Sequence, residues 1–324
     1  LRAAVTLLED KIARNPVPTG AITGHLTAED GVKLRFARWP ATRGPRRGTV
    51  LIAPGRGEFI EKYFEVVAEL RRRGFAVAVM DWRGQGGSDR LLDNPRKGHV
   101  DDFADYDRDL KLFMKEIVLP DCPPPYTALG HSMGGAIAMR NAIRPGSWFD
   151  RIVVTAPMIA FSQEKMGYPA SLVRIYAEVA ALGFSRSYIP GGHETMPDQF
   201  RFDDNQLTSD RERWQRMAGV LEVAPELAIG SPTVGWLRAA LRTMAELQEA
   251  DCPKRVQVPM LVFAAGADRI VDSRAAEDFA VQLKVGGLVR LPGSKHEILQ
   301  ENDPLRMRFW AAFDAYMGIA QRAA

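Results

Sequence analysis

The sequence has little cysteine, little excess charge of either sign and no long apolar run, and each shortage removes a class of protein. Cys122 and Cys252 are the two cysteines among 324 residues. Two scattered thiols cannot supply a disulfide scaffold, and they fit a reducing compartment. Lysine and arginine number 43 against 40 aspartates and glutamates, a formal net charge of +3. So thin an excess leaves no electrostatic footprint for nucleic acid. The densest basic point, Arg71-Arg72-Arg73, closes a helix-like stretch, where positive charge complements the helix dipole. No apolar stretch reaches the roughly 18 residues that a membrane-spanning helix needs. Zinc-type cysteine–histidine spacing and H-E-x-x-H are both missing, so no metal is expected. The Gly84-Gln85-Gly86-Gly87 run has neither the glycine spacing nor the following helix of a dinucleotide cradle. It reads instead as a rigid loop in which Asp81 and Arg83 fix neighbouring loops.

What remains is a large globular chain, 46% hydrophobic. A chain of this length buries about 75% of its unfolded surface. Short apolar, β-branched runs bounded by Gly, Pro or Asp read as strands at 32–39, 49–54, 76–81, 126–131, 151–156, 260–265 and 287–291. An earlier strand at 21–27 pairs with 32–39 through Glu29-Asp30-Gly31. Most of these runs are apolar throughout, as expected for strands covered on both faces. Helical patterns at 59–73, 102–118 and 133–143 alternate with them. The fold class is α/β: a mostly parallel, doubly wound sheet of about eight strands. The alternation breaks near Met158 and resumes near Val256. Helix-like pieces at 171–182, 209–223 and 233–250 fill the gap, so residues 158–255 read as a helical cap folded over the carboxyl edge of the sheet. Residues 1–157 and 256–324 then form the two parts of the core. Residues 1–15 read as a short amphipathic helix packed on the body.

Gly130-His131-Ser132-Met133-Gly134 fits G-x-S-x-G between a strand and a helix. In that setting the pattern is a nucleophile elbow, with Ser132 at the tip of a sharp turn and near a helix N-terminus. A serine needs a base. Of five histidines, His131 adjoins Ser132, His25 lies in the first hairpin, His193 in the cap, and His99 in the loop after Asp81. His296 follows the last strand and reaches the same sheet edge as Ser132. Asp268 and Asp272 follow the strand at 260–265 and qualify as the carboxylate that orients the base. Asp268 lies nearer the strand end, whereas Asp272 resembles a helix N-cap. Backbone N–H groups of Arg56 and Met133 are the natural oxyanion donors. The Arg56 side chain either meets an anionic substrate group or sits solvated at the surface.

Taken together, the Ser132 elbow, the 81–86 loop, Gly266-Ala267-Asp268 and the late His296 resemble the α/β-hydrolase superfamily, whose triads run in the order Ser…Asp…His. Gly55-Arg56-Gly57-Glu58 followed by Tyr63, and His296-Glu297-Ile298-Leu299, resemble the monoacylglycerol lipase and bacterial lysophospholipase branch. Where many relatives begin the oxyanion loop with His-Gly, this chain has Pro54-Gly55. The resemblance implies a serine hydrolase that cleaves esters of single-chain lipids through an acyl-enzyme, with Ser132, Asp268 and His296 as triad and no cofactor. Gly55, His99, Phe161 and Tyr176 are candidate substrate contacts. Apolar cap residues from Met158 to Val179 are candidates for an acyl channel. The alternatives are a small-ester carboxylesterase, a thioesterase or an aminopeptidase using Glu194, Asp198, Asp203 or Asp204, and last a non-catalytic binding protein. The expected partner is a small ester or lipid, met in the cytoplasm with transient contact at the inner membrane surface.

Overall fold

The structure, a computed structural model, describes residues 14–42, 46–195 and 201–319. Most of the helix expected at residues 1–15, and Asp198 in the cap, lie outside those residues. Eight strands form one sheet: β1 (Ile22–Thr27), β2 (Lys33–Trp39), β3 (Thr49–Ala53), β4 (Ala76–Met80), β5 (Tyr126–His131), β6 (Arg151–Thr155), β7 (Met260–Ala265) and β8 (Gly286–Leu291). Their spatial order is β1-β2-β4-β3-β5-β6-β7-β8. β2 runs antiparallel to β1 and β4, and every other pair is parallel. The first hairpin closes with Gly31 at φ +86°, a conformation that glycine adopts without a Cβ clash. β3, β4 and β7 are buried at every residue, which is why their sequences run apolar without alternation.

Helices connect the parallel strands. α1 (Phe64–Arg72) follows a single 3₁₀ turn at Ile60–Tyr63. α2 (Ala104–Phe113) continues through a π-helical turn, Met114–Val118, into α3 (Leu119–Asp121). α4 (Met133–Ala142) springs directly from β5. Between β6 and β7 lie α5 (Gln163–Met166), α6 (Ala170–Phe184), α7 (Arg211–Val223), α8 (Val234–Leu247) and α9 (Cys252–Arg255). α10 (Ser273–Ala280) and α11 (Asp303–Tyr316) complete the chain. Among the described residues, no helix is long and apolar enough to cross a membrane.

The stretch between β6 and β7 contains two kinds of helix. α8 buries Trp236, Ala240, Leu241, Met244 and Leu247 in the main core and so belongs with the sheet's own packing. α7 instead packs Met217, Val220 and Leu221 on Phe59 in a small core of its own. α6 leaves Leu172, Ile175, Val179, Leu182 and Phe184 exposed. The sequence reading places all the helical pieces of residues 158–255 in one cap. The apolar period of α8 cannot reveal by itself that the helix faces the sheet rather than its cap neighbours.

Candidate active site

The parallel register brings the carboxyl ends of β3, β5, β7 and β8 to one edge. Ala53 lies beside Gly130, and Ala265 beside Leu291. Ser132 follows β5 and caps α4 with φ 49° and ψ −113°. A non-glycine residue rarely holds such angles, and the surroundings must impose them. They do so through close packing. A Cβ on Gly134 would lie 2.0 Å from the Ala53 carbonyl oxygen, and one on Gly130 2.7 Å from Gly135 Cα. The turn is pinned further where Ser132 N–H donates to Thr155 O at 3.0 Å and Ser132 O accepts from Met158 N–H at 3.0 Å.

His296 faces the same site. Its Nδ1 lies 2.7 Å from Asp268 Oδ2. Asp268 Oδ1 accepts from Ile270 N–H at 2.8 Å and Val271 N–H at 3.1 Å. Burial alone would raise the Asp268 carboxyl, but His296 and the two amides outweigh it and hold it below the usual range. Burial likewise works against a charged His296, and Asp268, with Glu297 and Glu58 behind it, lifts its pKa above the ordinary imidazole value. Asp272 is elsewhere engaged: it caps α10 and accepts from Arg274 N–H at 2.9 Å. His131 packs under the elbow with its ring 4.8 Å from that of His296 and Nδ1 3.1 Å from Thr155 Oγ1. Burial pushes its pKa down to about 4. His25 and His193 are exposed. His99 is buried against Thr233 Oγ1 at 2.8 Å and does not line the cavity that holds Ser132.

That cavity measures about 710 Å³, within the range of small-molecule sites. Ser132, His296, Gly55, Arg56, Phe161 and Tyr176 all line it, among mostly apolar neighbours. Neither the Arg56 nor the Met133 N–H has an acceptor among the described residues; Met133 is the first residue of α4, where none is available within the helix. The loop that carries Arg56 is braced from the 81–86 segment. Trp82 Nε1 donates to Pro54 O at 2.9 Å, and Gln85 Nε2 donates to Gly55 O at 2.8 Å and Glu58 O at 3.0 Å. Asp81 and Arg83 hold that segment in turn, through Arg35 and Asp109. The Arg56 side chain is not freely solvated but half-buried. It lies over the Trp236 ring at 5.0 Å and donates to Gly230 O at 2.8 Å. Burial pushes its pKa down to about 10, with Tyr106 and Tyr188 opposing the shift.

A buried charge cluster escaped the sequence reading. Lys62 Nζ sits 2.8 Å from Glu58 Oε1 and 2.5 Å from Glu297 Oε1. Glu58 also accepts from Gly55 N–H and from Tyr63 OH. Burial would raise the Glu58 carboxyl, yet Lys62 and His131 bring it down to about 2. The cluster ties the loop that carries Arg56 to the residue after His296. The i, i+4 spacing of Glu58 and Lys62 was visible in the sequence, but nothing there pointed to Glu297.

A family model described as serine aminopeptidase, S33, matches residues 44–303. The chain belongs to that family. The S33 chain is an enzyme of the hydrolase class with the α/β-hydrolase fold. It is 33% identical over 289 residues to lysophospholipase L2 of Escherichia coli K12, covering 86% of this chain and 82% of the relative. It is 26% identical over 254 residues to the monoglyceride lipase of Rattus norvegicus, covering 78% and 75%. A soluble variant of the Saccharomyces cerevisiae monoglyceride lipase superimposes with a TM-score of 0.74 at 20% identity, over 93% of this chain and 97% of that one. This last likeness is one of fold.

Proposed function

We propose that the protein is a serine hydrolase that cleaves the carboxylic ester of single-chain lipids, lysophospholipids or monoacylglycerols, by way of an acyl-enzyme. The observation that carries the reading is the meeting of Ser132 and the Asp268–His296 pair in one largely apolar cavity. His296 takes the proton of Ser132 Oγ as the oxygen attacks the ester carbonyl. The N–H groups of Arg56 and Met133 hold the oxyanion, and one such donor is worth roughly 2.7–4 kcal/mol. His296 then protonates the leaving alcohol, and water activated by the same imidazole releases the fatty acid. Asp268 keeps the histidine in the productive tautomer throughout. Within the 158–255 segment α6 and α7 serve as the cap, with α6 presenting its bare apolar face to a lipid surface beside the cavity mouth. Such an enzyme works at the inner face of a membrane, and two buried free thiols suit a reducing compartment.

Aminopeptidase action finds less support. Glu194 binds Asn94, and Asp203 binds Arg211, both on the exterior and away from the cavity. Glu58 and Glu297 do line it, but both are already bound to Lys62. The test is an acyl-length series of glycerol esters kept below micelle concentrations. kcat/KM rises with each methylene that the cavity takes up, at most about 0.8 kcal/mol apiece. A flat series, or faster cleavage of aminoacyl amides, overturns the lipid reading.

A further inference from the structure

Four cations around the segment 225–230 lack a carboxylate partner among the described residues. Arg56 donates to Gly230 O, Arg96 to Pro225 O at 2.6 Å, and Arg90 to Glu226 O at 2.7 Å. Lys97 lies over the Tyr188 ring at 5.3 Å. Carboxylates on the surrounding segments make no ion pair with these four, although Asp81 and Glu226 attract Arg90 at longer range. Glu194 takes Asn94, Asp101 takes Ser185 and lies by His99, and Glu226 is exposed. Two buried polar atoms at the same place have no hydrogen-bond partner: Arg56 Nε and Tyr188 Oη. Most buried arginines among the described residues, such as Arg35, Arg83, Arg140 and Arg213, sit on carboxylates, whereas the half-buried Arg56 does not. Arg56 alone of the four lines the cavity that holds Ser132.

A guanidinium left half-satisfied in an apolar cavity is costly to the free protein and is repaid by an anion that accepts from it. We propose that the Arg56 side chain receives the phosphate of a phosphodiester headgroup, so that anionic single-chain phospholipids are preferred over neutral glycerol esters. The inference rests on the lipid-ester reading above. Chain geometry favours it. From the Arg56 backbone nitrogen to its Cζ there are as many bonds as from the carbonyl carbon of a terminal glycerol ester to the phosphorus at the other end. One residue then grips both ends of the substrate head: its N–H holds the oxyanion and its guanidinium the phosphate. The planar fork suits phosphate oxygens in pairs, which a lysine cannot match. Arg90, Arg96 and Lys97 add a positive field that draws the headgroup in, an effect that salt screens.

The experiment compares kcat/KM for lysophosphatidylglycerol and monoacylglycerol of one acyl length, both monomeric, in wild type and Arg56→Gln. Fluorophosphonate labelling of Ser132 and turnover of p-nitrophenyl butyrate report the state of the catalytic apparatus in each. The wild type is expected to favour the phospholipid, and Arg56→Gln to lower the phospholipid-to-glyceride ratio at least tenfold, mainly through KM. Arg56→Lys should lose part of the preference. An unchanged ratio in Arg56→Gln overturns the proposal. If Arg56→Gln does not fold, Arg96→Gln replaces it, with a reduced phospholipid kcat/KM and a weaker salt dependence expected; no change in either overturns the proposal. If the wild type cleaves the butyrate ester but neither lipid, the lipid-ester reading fails by itself. The phosphate site is then read from sn-glycerol 3-phosphate: competitive inhibition in wild type that Arg56→Gln abolishes supports it, and absence of inhibition refutes it.

Discussion

Ser132 holds a backbone conformation that its own side chain opposes. Strain of this kind stores on the order of 1–3 kcal/mol, and glycine would release it. Ser132→Gly should therefore melt at a higher temperature than Ser132→Ala, the reverse of the usual order, with both inactive beyond the roughly 10³–10⁴-fold over water left by binding and the oxyanion hole. Calorimetry and ester turnover on the two variants check this; equal melting temperatures would show that the turn is unstrained. Asp268→Asn should lower kcat by roughly 10⁴, as loss of a triad carboxylate does elsewhere, while Asp272→Asn loosens only the cap of α10. With His296 as the proposed base, which must be neutral to act, and Asp268 lifting its pKa, activity should fall on acidification from a point above the ordinary imidazole value. In Asp268→Asn that acidic limb should move down, which a kcat/KM profile would reveal. The Asp268–His296 pairing is readable from the sequence because each residue follows a strand whose end is marked by apolar runs and Gly. The sequence leaves the role of Arg56 open, since it does not tell which arginines find a carboxylate.

At the scale of elements, the sequence reveals strands better than it reveals the partners of helices. The parallel strands buried along their whole length announce themselves by apolar runs, as β3 and β7 do. α6 and α8 both carry apolar periods, yet α8 feeds the main core and α6 exposes its stripe to solvent. The difference lies in what packs opposite, which period alone does not encode. On α6, Leu172, Ile175, Val179 and Leu182 fall on one face, and Leu182 is 86% exposed. An apolar face of this kind buries readily into a lipid surface. Replacing Leu182 and Phe184 with Gln should cut binding to phospholipid vesicles by more than tenfold, since each side chain gains about 1.5–3 kcal/mol when fully buried. Neither residue lines the cavity of Ser132, so turnover of a monomeric ester should stay near wild type. Vesicle co-sedimentation that is unaffected by the double change would remove α6 from the contact.

Across the whole molecule, acid should be the weak point. His131 stays neutral when folded down to about 4, against an ordinary 6.5, whereas the unfolded chain takes up its proton near the ordinary value. In that window the unfolded state binds more protons, so stability falls as pH falls. Glu58, held near 2 by Lys62, adds a loss at still lower pH. His296 works in the opposite direction: its raised pKa lends stability in acid that disappears as pH rises through the folded value. A melting-temperature series from pH 7 to pH 4, compared with His131→Gln, separates these contributions; the variant should show the shallower decline.

Lys62 and Glu297 stand 235 positions apart in the chain, and that span has a bearing on synthesis. Chains fold from the N-terminal side as they emerge. The elbow, the oxyanion loop and the strands around them are all complete before Asp268 or His296 leaves the ribosome. On the proposed mechanism Ser132 thus waits without its base, and Glu58 and Lys62 wait without Glu297. Only when the last strand docks on β7 do the imidazole and the third member of the charge cluster arrive together. A chain interrupted or misfolded in its final quarter carries an inert serine, so hydrolysis of lipid begins only in molecules whose two ends have met.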